Sequence, residues 1–291
     1  MEERDESPVN IEGFETNEWR IDNITGVDDG SIVITGHNSP NCQSHITVIN
    51  INGKVQRRKE LKNAFPSACR FCAYLSKFKI ATVCWYNEIG VFDVRDYSYI
   101  KKNIHEVIRS WPKYGQTWCV TTDPVSNHIL VGRYDSRDVY VFDDQLNYHH
   151  TLTLPEMIKY PYLYDVAFSE GNLVVCDFIN KRAYYVTFER QRGKVTHELT
   201  KPDCDGDDWG PLSVCIDSNG FIYILWMTGK TYTAGRRIFV RYTQNGSHSV
   251  TQKEVDSNDA RCIATVKANF ITEKLLVASF TSGRLRFYTI I

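Results

Sequence analysis

The sequence predicts an all-β fold in which four-stranded antiparallel sheets follow one another around a ring, a six-bladed β-propeller. Three observations point there. The 291 residues hold 17 Tyr, 14 Phe and 6 Trp but only 3 Met, and flat aromatic side chains suit a pleated, half-buried surface. Apolar strands open near Ile32, Ile80, Ile129, Leu173, Ile222 and Leu275, at spacings of 48, 49, 44, 49 and 53 residues, close to the longest blade repeats of roughly 40 to 50 residues. Turn residues recur between them: Asp28-Asp29-Gly30, Ser169-Glu170-Gly171-Asn172 and Asp217-Ser218-Asn219-Gly220 in one series, Asn50-Ile51-Asn52-Gly53, Asp143-Asp144-Gln145 and Gln244-Asn245-Gly246 in another. Such residues supply the positive φ that tight hairpins need.

In chain order, a charged tail over 1–8 precedes a strand-like alternation from Val9 to Phe14, and Trp19 opens the first repeat. A single domain over 9–291 is expected, with blades near 19–61, 69–104, 117–154, 163–200, 212–255 and 261–291, the last completed by 9–15. Each blade reads as four strands, a to d. Strand a is short and built from small residues (70–74, 118–122, 165–168, 213–217, 261–266), and strand b is the apolar run that defines the period. Strand c is aromatic, as in Val91-Phe92-Asp93, Tyr140 to Asp143, Phe239 to Tyr242 and Leu285 to Tyr288, while strand d is polar and outermost. The last repeat runs out of residues after strand c. Val9 to Phe14 is expected to supply its fourth strand, so that neither chain end leaves a bare sheet edge. Very little helix is expected.

Composition excludes several classes. No run approaches the roughly 18 apolar residues that span a bilayer, and MEERDESP lacks the basic-then-apolar order of a signal peptide, so a soluble, cytoplasmic protein without membrane attachment is expected. Nine cysteines are mostly embedded in apolar strands (Cys84, Cys119, Cys176, Cys215, Cys262), where they behave as small buried hydrophobes rather than a disulfide scaffold. A net charge of -1 argues against gripping nucleic acid by charge alone.

The stretch from Pro211 through Asp217-Ser218-Asn219-Gly220 to Tyr223 resembles the opening of an NHL repeat, and Val175-Cys176-Asp177-Phe178-Ile179-Asn180-Lys181-Arg182 resembles its middle. The likeness extends over essentially the whole chain and is closest in the third to fifth blades. It implies a six-bladed propeller of the kind found at the C-terminus of tripartite-motif (TRIM-NHL) ubiquitin ligases. The first 40 residues contain no cysteine and hence no RING or B-box, so the resemblance implies an isolated recognition domain with no catalytic residues and no cofactor.

In four-stranded blades the b–c loops and d–a connections share one face and the hairpin turns share the other. The first face carries the longer loops (36–45, 85–88, 133–138, 177–182, 227–237, 280–284) and the connections around Phe65, Trp111, Tyr160 and Trp209, which makes it the expected binding surface. There Asp177, Asn180 and Arg182 are expected to lock one loop structurally, the carboxylate capping backbone amides or meeting the guanidinium. Arg133, Arg137 and Arg284 are less constrained and better placed for ligand contact. The first residues of strand a, aligned as Arg70, Trp118, Asp165, Ser213 and Arg261, should ring the pore mouth, with Trp85, Tyr134, Phe178, Trp226 and Phe280 just outside. Arginines beside aromatic rings offer charge-assisted hydrogen bonds and stacking, which suits a protein or peptide partner with acidic groups. Lys181, Arg182, Arg133, Arg236, Arg237 and Arg284 could instead hold RNA, but the acidic run 203–208 on the same face opposes phosphate. A protein partner therefore leads, and RNA is second.

Other motifs fail on spacing. The run Asp203-Cys204-Asp205-Gly206-Asp207-Asp208 begins like a calcium loop, yet its glycine comes early and its twelfth position is Val214,. His37, Cys42 and His45 offer three zinc ligands without a fourth. Cys69 and Cys72, three apart on a strand, point to opposite faces. Gly229-Lys230-Thr231 lacks the upstream glycine of a phosphate loop, no hydrolase triad is visible, and Asp165 alone is too little for a propeller hydrolase's metal site.

Overall fold

The computed structural model describes residues 8–11, 14, 19–38, 43–61, 69–84, 87–111, 116–133, 136–158, 163–204, 208–229, 235–255, 259–267, 272–279 and 282–289, with backbone alone at Trp19, Cys69, Arg70 and Leu163. The short strand β1 (Val9–Asn10) comes first. One sheet follows as β2 (Trp19–Gly26), β3 (Ile32–Asn38), β4 (Gln43–Ile49) and β5 (Val55–Glu60). The next contains β6 (Cys69–Ser76), β7 (Lys79–Cys84), β8 (Glu88–Asp93) and β9 (Tyr99–Asn103), then a one-turn helix, α1 (Ile104–Val107). Two further meanders are β10 (Thr117–Asp123) to β13 (Tyr148–Thr153), through β11 (His128–Arg133) and β12 (Asp138–Phe142), and β14 (Leu163–Ser169) to β17 (Arg192–Leu199), through β15 (Asn172–Asp177) and β16 (Arg182–Glu189). The last two units are β18 (Gly210–Ile216), β19 (Ile222–Met227), β20 (Arg237–Tyr242) and β21 (Ser249–Glu254), then β22 (Ala260–Lys267), β23 (Glu273–Ser279) and β24 (Arg284–Thr289).

Among the described residues these strands make four four-stranded sheets and one of eight strands. The eight-stranded sheet is two meanders whose outermost strands touch, Thr153 pairing in parallel with Arg192. Gly193 permits that approach, since a Cβ there would lie 2.9 Å from Pro155.

The first strand of each meander packs against the first strand of the next: β2 against β6, then β10, β14, β18 and β22, which returns to β2. A cycle of inner strands places the core between neighbouring sheets. Phe71 and Ile89 of one sheet and Ile104 of α1 pack with Val120, Ile129 and Tyr140 of the next sheet, and Ile21 and Ile34 pack with Leu276 and Phe287 across the junction of the chain's two ends. Outer strands are polar: β17 alternates exposed and half-buried residues from Arg192 to Glu198.

The expected N-terminal contribution to the final sheet is present. Val9 and Asn10 pair antiparallel with Leu285 and Arg284, the Ile11 amide donates to the Gly283 carbonyl at 3.0 Å, and Ile11 and Phe14 are buried. Gly283 sits at φ +60, where a Cβ would meet the Phe14 Cβ at 2.5 Å, so only glycine lets the chain end pass so close.

The turns use the side chains the sequence suggested. Asp143 Oδ1 accepts from the amides of Gln145 and Asn147, Asn50 Oδ1 from those of Asn52 and Lys54, and Asp217 Oδ1 from those of Asn219 and Phe221. Cys119, Cys176 and Cys262 are free and buried, and Cys215 is free and half-buried. Cys84 departs from expectation because it is disulfide-bonded. It lies opposite Cys69 in the β6–β7 ladder, and directly opposed positions bring Cα atoms close, a proximity that spacing along one strand does not show.

Candidate functional site

Each inner strand carries an irregularity at the same place. The β-ladder skips one residue between Ile21 and Asn23, Cys69 and Phe71, Thr117 and Cys119, Leu163 and Asp165, Pro211 and Ser213, and Ala260 and Cys262. A bulge adds a residue and re-aims its neighbours. The equivalent mouth positions are therefore Asp22, Arg70, Trp118, Tyr164, Leu212 and Arg261. This corrects the sequence alignment at two places, where Asp165 and Ser213 lie one residue deeper, and it adds Asp22.

The ring divides by chemistry. On β22, β2 and β6 stand Arg261, Asp22 and Arg70, and on β10, β14 and β18 stand Trp118, Tyr164 and Leu212. Asp22 is buried, with Oδ2 bonded to His37 Nδ1 and Oδ1 3.9 Å from Arg261 Nη2. His37, read from sequence as a metal-ligand candidate, is thus held by a carboxylate. His45 is buried too, its Nδ1 3.1 Å from the Thr47 hydroxyl; burial first and the Arg58 charge second push its pKa down to about 3. Across the ring, Trp118 and Phe178 are half-buried and both flank Tyr164, at centroid distances of 6.3 and 5.6 Å. Gly210 lets Phe178 lie flat, because a Cβ there would be 2.9 Å from its ring.

Asp165 is a staple between inner strands. Its Oδ2 accepts from the Ser213 hydroxyl at 2.7 Å and the Val214 amide at 3.0 Å, and Oδ1 accepts from the Val166 amide. The Ser213 hydroxyl in turn accepts from the Ile263 amide. Burial raises the Asp165 pKa to about 6 against those hydrogen bonds.

The loop lock forms with two of its three expected members. Asp177 is fully buried, with Oδ1 accepting from the Asn180 amide at 3.1 Å and Oδ2 from Asn180 Nδ2 at 2.7 Å, while Lys181 takes φ 57. Arg182 turns outward to Glu198 at 3.3 Å. Other basic candidates are also engaged: Lys181 pairs with Asp208, and Arg236 is held two-pronged by Glu254 over the Trp209 ring. Arg133 lies over the Trp111 ring at 5.9 Å. Arg237 is fully buried and donates to the carbonyls of Ala260, Gly235 and Arg236, its pKa lowered to about 10 by burial. Arg137 is half-buried and Arg284 exposed.

Trp226 must be withdrawn as a ligand contact. It is fully buried and its Nε1 donates to the Tyr242 hydroxyl at 2.9 Å, because β19 is covered on both faces and its indole faces a neighbouring sheet. Trp85, Tyr134 and Phe280 lie outside the described residues, and Arg70 is placed by its backbone.

No family model matches the sequence, and no curated protein sequence matches it. Solved structures do. The β-propeller domain of Cps50 (Swd1) from Myceliophteria thermophila is 8% identical with a TM-score of 0.63, covering 100% of both chains. The WD40 repeats of RRP9 are 8% identical with a TM-score of 0.63, covering 99% of this chain and 100% of that one. The WD40 propeller domain of Doa1 is 9% identical with a TM-score of 0.58, covering 91% and 77%. At such identities the likeness is one of fold alone, and the fold is a β-propeller.

Proposed function

We propose that this chain is a non-catalytic recognition module, a single propeller of six four-stranded blades over 9–291 that binds a protein or peptide on the face of the b–c loops and d–a connections. The observation that carries this reading is the split pore mouth, with the half-buried Trp118 and Phe178 around Tyr164 facing Arg261 and Asp22 across the ring. Aromatic anchors beside arginine are characteristic of protein-binding hot spots. The pairing of Lys181, Arg182 and Arg236 with carboxylates leaves that part of the face of mixed sign, which favours protein over RNA. The NHL-like stretches 175–182 and 211–223 support a role as the substrate-recognition part of a TRIM-type ligase.

Co-purification from cells tests the reading, comparing wild type with an Arg70→Glu, Arg133→Glu, Arg261→Glu variant, with and without RNase. Loss of an RNase-resistant protein in the variant is the expected result. A variant that melts like wild type and keeps every partner refutes the face assignment, and RNase-sensitive recovery transfers the site to RNA.

A further inference from the structure

The inner strands enclose a channel of about 230 Å³ whose lining includes Asn23, Thr25, Cys72, Thr121 and Asp165. At the loop face, Asp22, Tyr164 and Leu212 are 3%, 6% and 1% exposed, so these three positions are closed to solvent. The other end opens. On the face of the hairpin turns the channel widens into a cavity of about 530 Å³, and Gly26, Tyr74, Pro124, Phe168, Ile216 and Thr265 line both spaces, making them continuous.

The cavity has an apolar floor and a negative rim. Val27, Phe168, Ile216 and Val266 form the floor, and Val125, 92% exposed, stands at the edge. Asp28, Asp123, Glu170 and Glu273 line the rim, the buried Asp217 also belongs to the lining, and among the described residues Lys267 is its single cation. The hydrogen bonds to these carboxylates come from neutral donors: the Tyr74 hydroxyl to Asp28, the Ser126 hydroxyl to Asp123, the Tyr223 hydroxyl to Asp217 at 3.1 Å, and the Ser218 amide and hydroxyl to Glu273. Their charge is oriented but not neutralised. Among the described residues no three acidic, His or Cys side chains converge closely enough to hold a metal ion, so the charge is spread around a mouth rather than focused on a point.

A concave site of this size, apolar below and anionic above, matches a long side chain with an apolar stem and a cationic head. We propose that the turn-face mouth of the channel is a second docking site, one that receives an arginine- or lysine-bearing segment of a partner protein. The stem of the basic side chain lies against Phe168 and Ile216 and its head among the rim carboxylates. The site is separate from the loop-face reading and stands without it.

Fluorescence anisotropy on the full chain tests the proposal, using a short labelled Arg-Ala peptide beside its Gln-Ala counterpart. The decisive variant is Glu170→Lys with Glu273→Gln. Glu170 is an exposed turn residue, and glutamine keeps an oxygen for Ser218, so the fold should survive; an unchanged melting curve checks this. The Arg peptide should bind wild type better than the Gln peptide, and the variant should lose about tenfold in affinity, as expected for removing two rim charges and adding a repulsive one. The loop-face triple variant should bind the Arg peptide like wild type. Equal binding of the two peptides overturns the proposal, as does undiminished Arg-peptide binding by the folded variant. Stoichiometric calcium uptake that the variant abolishes, seen by calorimetry without peptide, would make this a metal site instead.

Discussion

Two buried titrating residues pull stability in opposite directions with pH. Asp165 has its pKa raised from 3.8 to about 6, so the folded state holds its proton more tightly than the unfolded chain. The associated stability is fully present below pH 3.8 and lost as pH rises through 6, about 3 kcal/mol for a shift of that size. Melting of wild type against Asp165→Asn should therefore show the wild type losing ground from pH 4 to 6, and a pH-independent difference would sink the assignment. His45 behaves inversely. Its pKa is lowered from 6.5 to about 3, so the stability its neutral form allows is present above 6.5 and lost as pH falls toward 3. Relative to His45→Gln, wild type should weaken on acidification over the same range in which Asp165 strengthens it, and parallel melting curves for the two proteins would count against this. Neither effect was legible in sequence, because each depends on burial created by neighbouring sheets. The Asp177–Asn180 lock was legible, since both partners lie in one tight loop. Trp226 was misread because an aromatic at the end of a strand looks the same whether it faces solvent or a neighbouring sheet.

Strands were read to within a few residues because their apolar period and Asx-type turns are local properties. The bulges were not. Every inner strand carries one at the same place, and the bulged residue marks the equivalent position, which put Tyr164 and Leu212 where sequence alone had aligned Asp165 and Ser213. The disulfide of Cys84 was missed for a related reason, since opposition across a ladder depends on register. The closing segment carries the clearest prediction at this scale. Deleting residues 1–15 removes Ile11 and Phe14, 0% and 1% exposed, and uncovers the edge of β24. Losing two large buried side chains costs on the order of 5 kcal/mol, comparable to the whole stability of many domains. Thermal melting of the truncation should show a large drop, and an unchanged midpoint would mean the segment only decorates the final sheet. Gly283→Ala, which forces a Cβ against Phe14, should weaken the same junction by about 1–3 kcal/mol.

The whole molecule is nearly neutral, with 34 basic and 35 acidic residues, and its organisation lies in where those charges are held. Three of the six basic residues that sequence placed on an RNA-binding face are committed to carboxylates: Lys181 to Asp208, Arg182 to Glu198 and Arg236 to Glu254. Those partners come from the outer strands β17 and β21 and from the connection before β18: Glu198 and Glu254 reach Arg182 and Arg236 from the neighbouring strand of the same sheet, and Asp208 reaches Lys181 from the next connection. A phosphate must displace a carboxylate at each such site, so few contacts should yield net counterion release. With about two effective contacts, single-strand affinity falls only about sevenfold between 50 and 200 mM salt, because the logarithmic slope is roughly -0.7 per phosphate neutralised. A labelled single-stranded RNA titrated at both salt concentrations should show that shallow dependence and no sequence preference. A slope corresponding to five or more phosphates would mean that RNA opens these ion pairs, and the loop face would then be a nucleic-acid surface rather than a protein one.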